Sequence, residues 1–220
     1  MSEQLRVGIV GTSWWTDQMH LPSLKSHAQV QVVAICGRNQ ARGQEIAAKY
    51  EIPQVFTDYQ EMIEQADLQA LVIAIPDDMH YPVAMAALDA GLHVLCEKPL
   101  STSLENTDRL GELVSAEGAK FSMAYVLRAH PLFAAVRQQV LSGDYGRPLE
   151  IITVSGQHFP HYRPAYREIY YTDRATGGGV IQDGLTHVVN FVEWVVGPMT
   201  RVAADCDHLA LPGVDIEDSV

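Results

Sequence analysis

Short apolar runs alternate with longer amphipathic segments through the first half of this chain. The runs are rich in Val and Ile: Leu5 to Val10, Val30 to Cys36, Ala70 to Ile75, Leu92 to Cys96 and Phe121 to Val126. Nearly continuous apolarity is typical of parallel strands that are covered on both faces. The intervening segments predict helices over Gln40 to Tyr50, Tyr59 to Gln65, His80 to Ala90 and Ser103 to Glu117. This alternation predicts an α/β fold with a doubly wound parallel sheet of the Rossmann type.

The pattern changes in the second half, and a domain boundary is expected near Tyr125 to Pro131. Residues 1–125 are therefore expected to form one domain and residues 126–220 another. Helices are predicted over His130 to Leu141 and Val180 to Val196, each followed by Gly. Strands are predicted over Pro148 to Phe159 and Thr200 to Asp207, with the approach to a further strand at Val214 to Val220.

Charge and composition exclude several classes of partner. The net charge of -12 argues against nucleic acid, because neutralising phosphates needs a basic face. No stretch approaches the roughly 20 apolar residues of a membrane helix, and no signal peptide is visible, so we expect a cytoplasmic protein without a membrane partner. Cys36, Cys96 and Cys206 form no CxxC pair, and the first two are expected in the core.

The first strand leads into a turn that is a candidate for phosphate binding, Val10-Gly11-Thr12-Ser13-Trp14-Trp15-Thr16. A dinucleotide fingerprint here would read G-x-G-x-x-G, with the pyrophosphate at the N-terminus of the following helix. Gly11 supplies the tight turn, but Ser13 and Thr16 replace the other two glycines. We expect Gly11, Thr12, Ser13 and Trp14 to contact a cofactor. An ordinary strand-turn-helix remains the alternative.

The end of the second strand indicates the type of cofactor. An acidic residue there would bind the ribose 2′-hydroxyl of NAD, whereas this chain has Arg38 and Asn39. A guanidinium can bind a 2′-phosphate through two hydrogen bonds. The sequence therefore predicts a cofactor site at Arg38 and Asn39 that prefers NADP over NAD. A solvated arginine that opens a helix is the alternative.

Three further segments resemble motifs of the Gfo/Idh/MocA oxidoreductase family. The first is Ala74-Ile75-Pro76-Asp77-Asp78-Met79-His80, after the fourth predicted strand. The second is Cys96-Glu97-Lys98-Pro99. The third is Gly177-Gly178-Gly179 followed by Asp183 and His187. Their order and spacing extend the resemblance over essentially the whole chain.

The resemblance implies a Rossmann domain followed by an α/β domain with a large open mixed sheet. Since the sequence ends early by that pattern, a partial second domain is expected. The family also implies hydride transfer between NAD(P) and a sugar, inositol or related polyhydroxylated compound. A homo-oligomer formed through the C-terminal sheet is expected, and no metal is implied.

The resemblance assigns roles to individual residues in the motifs. Ile75, Pro76, His80, Glu97 and Lys98 are expected at the cofactor, Glu97 either holding the nicotinamide ribose or orienting Lys98. The Lys98 ammonium can also bind the substrate oxygen and stabilise alkoxide charge.

A second set of residues is expected at the substrate. His187 is the candidate acid and base, with Asp183 on the same helix face at i and i+4. The family pattern often has Asp where this chain has Asn190, so a carboxylate is missing there.

Arg128, Tyr162 and Arg163 are further candidate substrate contacts. Arg128 resembles an arginine that the family places after the sixth strand, where Val126 departs from a common Asn. Tyr162 and Arg163 lie in an aromatic and basic segment, His158 to Tyr171, for which a purely structural role is the alternative.

Two other functions share the same fold. A dinucleotide sensor would bind the cofactor without turnover, and a glycosidase would oxidise and then reduce its sugar with no net change in cofactor. Lys98, Asp183 and His187 favour the dehydrogenase or reductase.

Overall fold

Six parallel strands form one sheet in the first of the two units, residues 1–124 and 125–220, into which the chain divides. The computed structural model describes residues 4–105, 107–156, 159–162, 178–214 and 216–220. The strands are β1 (Leu5–Val10), β2 (Val30–Cys36), β3 (Gln54–Phe56), β4 (Ala70–Ile73), β5 (His93–Cys96) and β6 (Phe121–Met123). Their order is β3-β2-β1-β4-β5-β6 with every pair parallel, which is the Rossmann order and confirms the predicted fold of this unit.

Helices connect the strands as predicted, with shifts at their ends. They are α1 (Leu21–Ser26), α2 (Gln40–Tyr50), α3 (Tyr59–Gln65), α4 (His80–Asp89) and α5 (Thr107–Glu117). A π-helical turn, Thr16–His20, precedes α1, and a 3-10 turn, Asp77–Met79, precedes α4. The strand β3 was not predicted, because its three residues are too few to show a periodic pattern.

The sheet is covered on both faces by separate apolar clusters. Val7, Ile9 and Ile35 pack on one face with Leu21 of α1 and Ile46 of α2. On the other face the strands contribute Val10, Ala34, Leu71 and Ile73, and the helices Met62, Val83 and Leu88. Successive residues of one strand point to opposite faces, so one apolar run supplies both clusters.

Asp17 connects the π-helical turn to α2. Its carboxylate accepts hydrogen bonds from Lys49 Nζ at 2.7 Å and Arg42 Nη2 at 3.0 Å, and the Tyr50 hydroxyl donates to its backbone oxygen at 2.5 Å. The Lys49 hydrogen bond, partly opposed by burial and assisted by Tyr50 and Arg42, lowers the pKa of Asp17. The π-helical turn and α1 together form the first helical segment of the chain. The buried Asp17 carboxylate fixes this segment against α2.

Two of the three cysteines lie in the core, as predicted. Cys36 ends β2 and Cys96 ends β5, and both are buried. Burial, with smaller effects of Asp58 and Glu61, raises the pKa of Cys36 to about 12. Burial likewise raises the pKa of Cys96, so both thiols behave as small apolar side chains.

The helices and turns described in the second unit cover just under half of its described residues. They are a 3-10 turn (Val126–Ala129), α6 (Pro131–Ser142), the short α7 (Phe159–Tyr162), a π-helical turn (Ile181–Leu185) and α8 (Thr186–Val196). Pro131 at the first position of α6 and left-handed Gly143 after it explain where this helix begins and ends. Phe133 of α6 packs against Phe191 of α8, with 4.9 Å between ring centroids.

The strands predicted for the second unit do not form within the described residues. Residues 148–156 and 200–206 carry no strand pairing, and the only pairing described from 178 onward is the isolated bridge between Asp207 and Ser219. Leu149, Ile152 and Val154 are consequently exposed. An alternating sequence becomes a strand only where a neighbouring strand supplies backbone partners, and the described residues supply none beside these segments.

Among the residues that the structure describes, none belongs to a helix with both the length and the apolar character needed to cross a bilayer.

We predict that Asp17→Asn lowers the free energy of unfolding by about 1–3 kcal/mol at neutral pH, because charge-assisted hydrogen bonds to a buried group are lost. Urea unfolding followed by circular dichroism measures this. Since the pKa of Asp17 is lowered in the folded protein, its contribution is present above the unfolded value near 3.8 and is lost as the pH falls through the folded value.

Asp67→Asn is the matched control, because it removes a carboxylate whose side chain is 82% exposed and that pairs with Arg6 at the surface. We expect it to cost no more than about 1 kcal/mol. Equal effects of the two substitutions would show that Asp17 has no special structural role.

Candidate functional site

The turn after β1 requires glycine at its first position. Gly11 has φ of +128°, and a Cβ placed there would lie 2.1 Å from the backbone oxygen of Ala74. Its N–H donates to Cys36 O at 2.8 Å, and Ala74 N–H donates to Val10 O at 2.8 Å. The turn is therefore held closely against the carboxyl ends of both neighbouring strands.

The residues after Gly11 begin the first helical segment. Thr12 packs against Gly37, where a Cβ would come within 2.5 Å of its methyl carbon. Ser13 Oγ accepts a hydrogen bond from Thr16 N–H at 3.4 Å, and Trp14 is 51% exposed. Exposed groups at a helix N-terminus beside a glycine turn have the arrangement that binds phosphate. This geometry fits a dinucleotide at Gly11, Thr12, Ser13 and Trp14, whose contacts to it stay predictions.

Arg38 and Asn39 lie after β2 at the same edge of the sheet. Asn39 caps α2, its side-chain oxygen accepting from Arg42 N–H at 3.1 Å. Arg42 itself pairs with Asp17 and Glu45. Arg38 is exposed, and no hydrogen bond or ion pair holds its guanidinium among the described residues. Arg38 is thus the basic side chain of this segment that is placed to meet a ligand.

His80 connects two loops. One follows β4 and contains Ile75, and the other, called here the Lys98 loop, follows β5 and contains Glu97, Lys98 and Pro99. Ile75 is half-buried and Pro76 exposed, whereas His80 is fully buried. Its Nε2 lies 2.8 Å from Ile75 O and its Nδ1 lies 2.5 Å from Pro99 O. Burial lowers the pKa of His80, outweighing the opposite effect of the two carbonyls.

The cofactor contact expected of His80 stays a prediction, and its ring nitrogens are directed elsewhere. Both ring nitrogens face backbone carbonyls of the protein, so neither is presented to a ligand. The residue instead fixes two loops, and those loops carry Ile75, Pro76 and Lys98, for which cofactor contact stays a prediction.

The Glu97 side chain is held by two residues of the first helical segment. Its Oε1 accepts from Trp15 Nε1 at 2.7 Å and lies 2.9 Å from His20 Nε2, and its Oε2 lies 3.4 Å from Lys98 N. Burial raises the pKa of Glu97, but the hydrogen bonds from His20 and Trp15 outweigh it, so the pKa lies below its usual range. The peptide bond between Lys98 and Pro99 is cis.

Sequence reasoning missed His20 and did not assign Trp15 to Glu97. In an α-helix, residues five apart point about 140° away from each other. The π-helical turn at Thr16–His20 lengthens the helical repeat toward five residues and brings both side chains onto the same carboxylate oxygen. No residue pattern in the sequence announces such a turn, although π turns are frequent at functional sites.

In the second unit, Asp183 lies in the π-helical turn and His187 in the first turn of α8. Asp183 N–H donates to Gly179 O at 3.0 Å, and the His187 ring meets Tyr125 edge-to-face at 5.9 Å. Gly179 has φ of +104°, and a Cβ there would lie 2.2 Å from Glu217 Oε1. The positive φ explains glycine at the entry to the helix, because the end of the Glu217 side chain could move aside.

The other candidate substrate contacts are placed as follows. Arg128 Nε donates to Asn190 Oδ1 at 2.7 Å, so the residue that replaces the expected Asp holds Arg128 instead. Tyr162 is 70% exposed at the end of α7. Arg163 and Gly177 lie outside the described residues. Searching the described residues finds no group of three His, Cys, Asp or Glu side chains placed to hold a metal.

The carboxyl edge of the sheet carries the Gly11 turn, the helix N-terminus after it, and the loops that follow β2, β4 and β5. This arrangement defines a dinucleotide-binding Rossmann domain. Family models agree with this conclusion. The model for the oxidoreductase family with an NAD-binding Rossmann fold matches residues 5–125, and the model for the GFO/IDH/MocA C-terminal domain matches residues 133–220. The chain belongs to the Gfo/Idh/MocA oxidoreductase family.

Named relatives act on sugars. A dTDP-3,4-didehydro-2,6-dideoxy-alpha-D-glucose 3-reductase of Saccharopolyspora spinosa is 29% identical over 220 residues, which is 100% of this chain and 65% of the relative. A D-xylose 1-dehydrogenase (NADP(+)) of Haloferax volcanii is 27% identical over 94% of this chain and 62% of its own length. The chain spans 52% to 65% of the first three curated relatives that it matches.

A solved structure shares the fold over the whole chain. The WlbA dehydrogenase from Bordetella pertussis, determined in complex with NADH and UDP-GlcNAcA, matches with a TM-score of 0.83 and 24% identity. The match covers 100% of this chain and 62% of that protein. At this identity the match supports the fold.

We predict that Gly11→Ala lowers the free energy of unfolding by at least about 3 kcal/mol, because it combines a positive φ with a clash against backbone. Urea unfolding measures the loss. Gly111→Ala is the control, since a Cβ at that helical position meets nothing within 4 Å. A Gly11→Ala protein as stable as Gly111→Ala would contradict the close approach of the two turns.

Proposed function

We propose that this protein is an oxidoreductase that transfers a hydride between NADP(H) and a sugar, inositol or related polyhydroxylated compound. The observation that carries the proposal is the Lys98 loop, which is fixed at the same sheet edge as the Gly11 turn. A cofactor bound along this edge would supply the hydride acceptor or donor at its nicotinamide ring. The protein's own residues supply binding, orientation and proton transfer.

Lys98 supplies the positive charge that the reaction needs. An ammonium beside the reacting hydroxyl donates a hydrogen bond and stabilises the negative charge that develops on oxygen as the hydride leaves carbon. Glu97 and Pro99, on either side of Lys98, are held in place by contacts with other elements. This favours the proposed role, because a preorganised donor acts without rearrangement.

His187 exchanges the hydroxyl proton in this proposal. Imidazole titrates near neutrality, so it can accept the proton in oxidation and return it in reduction. Asp183 lies in the turn that leads into the same helix and is proposed to orient His187 or bind a substrate hydroxyl. Arg128, Tyr162 and Arg163 complete the proposed set of substrate contacts.

Arg38 is proposed to select NADP over NAD. Its exposed guanidinium follows β2, where the adenosine ribose of a Rossmann cofactor binds, and no carboxylate stands at that position. The name of the Haloferax volcanii relative includes NADP(+), which agrees with the proposal, whereas the Bordetella pertussis dehydrogenase was determined with NADH. The cofactor preference is therefore tested separately from the reaction.

We expect Arg38→Ala to weaken NADPH binding by about 10- to 100-fold, the loss expected for a hydrogen-bonded charge pair. The affinity for NADH should change by no more than about 3-fold, because NADH lacks the 2′-phosphate. Fluorescence titration of the full chain with each cofactor measures both. Arg109→Ala is the control, since Arg109 is an exposed arginine on α5. An equal loss for both cofactors, or wild-type protein that prefers NADH, would refute the preference.

We expect Lys98→Ala to lower kcat by about 10²- to 10⁴-fold while NADPH affinity changes by less than about 3-fold, because the lost donor acts on the reacting oxygen. The assay follows NADPH absorbance with a panel of sugars and inositols. Lys120→Ala, which removes an exposed lysine before β6, is the control.

Other outcomes of the same assay identify the two alternative functions. Cofactor binding without turnover of any compound would indicate a sensor. Release of sugar without net change in the cofactor would indicate a glycosidase. Turnover unaffected by Lys98→Ala would remove Lys98 from the mechanism.

A further inference from the structure

Two buried or half-buried histidines from different elements hold the residues on either side of Lys98. His20, at the end of the π-helical turn, contacts the side chain of Glu97. His80, at the start of α4, contacts the backbone oxygen of Pro99. Lys98 is therefore the middle residue of a tripeptide that is fixed at both ends.

The His20 contact fixes the residue before Lys98. The side chains of His20 and Glu97 are 13% and 15% exposed, so their 2.9 Å contact is largely shielded from water. Trp15 Nε1 donates to the same Glu97 oxygen, and the other oxygen faces Lys98 N. One carboxylate thereby joins the first helical segment to the backbone of Lys98.

The His80 contact fixes the residue after Lys98. The imidazole lies between Pro99 O and Ile75 O and is 0% exposed. A neutral imidazole has a single N–H, so it donates to one of the two carbonyls at a time. The imidazole thus lies between the loop after β4 and the loop that carries Lys98, and its one hydrogen bond is shielded from water.

We propose that His20 and His80 are positioning residues for the Lys98 ammonium, an inference that rests on the proposed function of Lys98. A lysine side chain has four rotatable bonds, so its reach is defined only when its backbone is fixed. A misplacement of about 1 Å at a reacting group can cost about 10²-fold in rate. The two histidines hold the residues before and after Lys98, so they act on the ammonium through the backbone that carries it.

The first test compares two substitutions of His20 in the full chain. A glutamine amide can replace Nε2 as a donor to Glu97, whereas alanine cannot. We expect His20→Ala to lower kcat by about 10- to 100-fold with less than about 3-fold change in NADPH affinity, and His20→Gln to restore most of the loss. A loss of NADPH affinity in place of kcat, or equal defects in both variants, would overturn the role of His20.

The second test separates the two contacts of His80. An asparagine amide nitrogen lies near the position of Nδ1 and keeps the donor to Pro99 O, and a glutamine amide nitrogen lies near Nε2 and keeps the donor to Ile75 O. We expect His80→Asn to retain more turnover than His80→Gln, since the Pro99 contact is adjacent to Lys98. The reverse order would overturn the role of His80.

A readout that does not depend on turnover completes the design. Hydrogen exchange of the peptide containing residues 97–100, and the rate at which an activated ester acylates Lys98, are followed by mass spectrometry. We expect both to change in His20→Ala, while acylation of Lys120 in the same sample stays constant. His93→Gln is the control histidine, because His93 lies at the opposite end of β5 from Glu97.

These readouts distinguish failure of the inference from failure of the proposed function. If wild-type protein turns over no substrate but His20→Ala still changes exchange and acylation at Lys98, the positioning stands and the proposed reaction fails. If exchange and acylation at Lys98 match wild type in His20→Ala and in any folded His80 variant, the positioning is refuted even in an active enzyme.

Discussion

The close approach of the Gly11 turn to the end of β4 is the constraint on which the rest of the first unit depends. Parallel pairing of β1 with β2 and β4 brings three chain segments together at one edge of the sheet. There is no room for a Cβ between Gly11 and Ala74 O, so the turn can exist only with glycine at this position. A helix N-terminus and exposed polar groups then stand at the sheet edge, where a phosphate can reach them.

Side chains from this edge connect loops that are distant in sequence. Asp17 ties the first helical segment to α2, Glu97 ties it to the end of β5, and His80 ties the end of β4 to Pro99. Each connection uses a buried or half-buried polar group with a partner, since a buried polar group without one would be costly. The loops of a Rossmann domain are in this way made rigid around the position where chemistry is proposed.

In the second unit, sequence patterning predicts the helices but not the pairing of strands. Helices α6 and α8 could be predicted because their signals are local, such as Pro131 at a start and Gly143 at an end. The predicted strands at residues 148–156 and 200–206 depend on neighbours that sequence patterning cannot supply, and the described residues leave them unpaired. Asn190, which stands where the family pattern often has Asp, supplies an amide oxygen to Arg128.

By itself the sequence determined the alternation of strands and helices, the glycine turn and the motifs that place Lys98, Asp183 and His187 in a known family of oxidoreductases. These features are local or periodic, so they are legible without coordinates. Only the tertiary structure decided that Trp15 and His20 share one oxygen of Glu97, and that His80 contacts a backbone oxygen in each of two loops. The two Glu97 contacts join residues 82 and 77 positions apart and depend on a π-helical turn, whereas His80 contacts residues 19 and 5 positions away. The spacing of residue types along the chain encodes neither these distances in space nor the irregular turn.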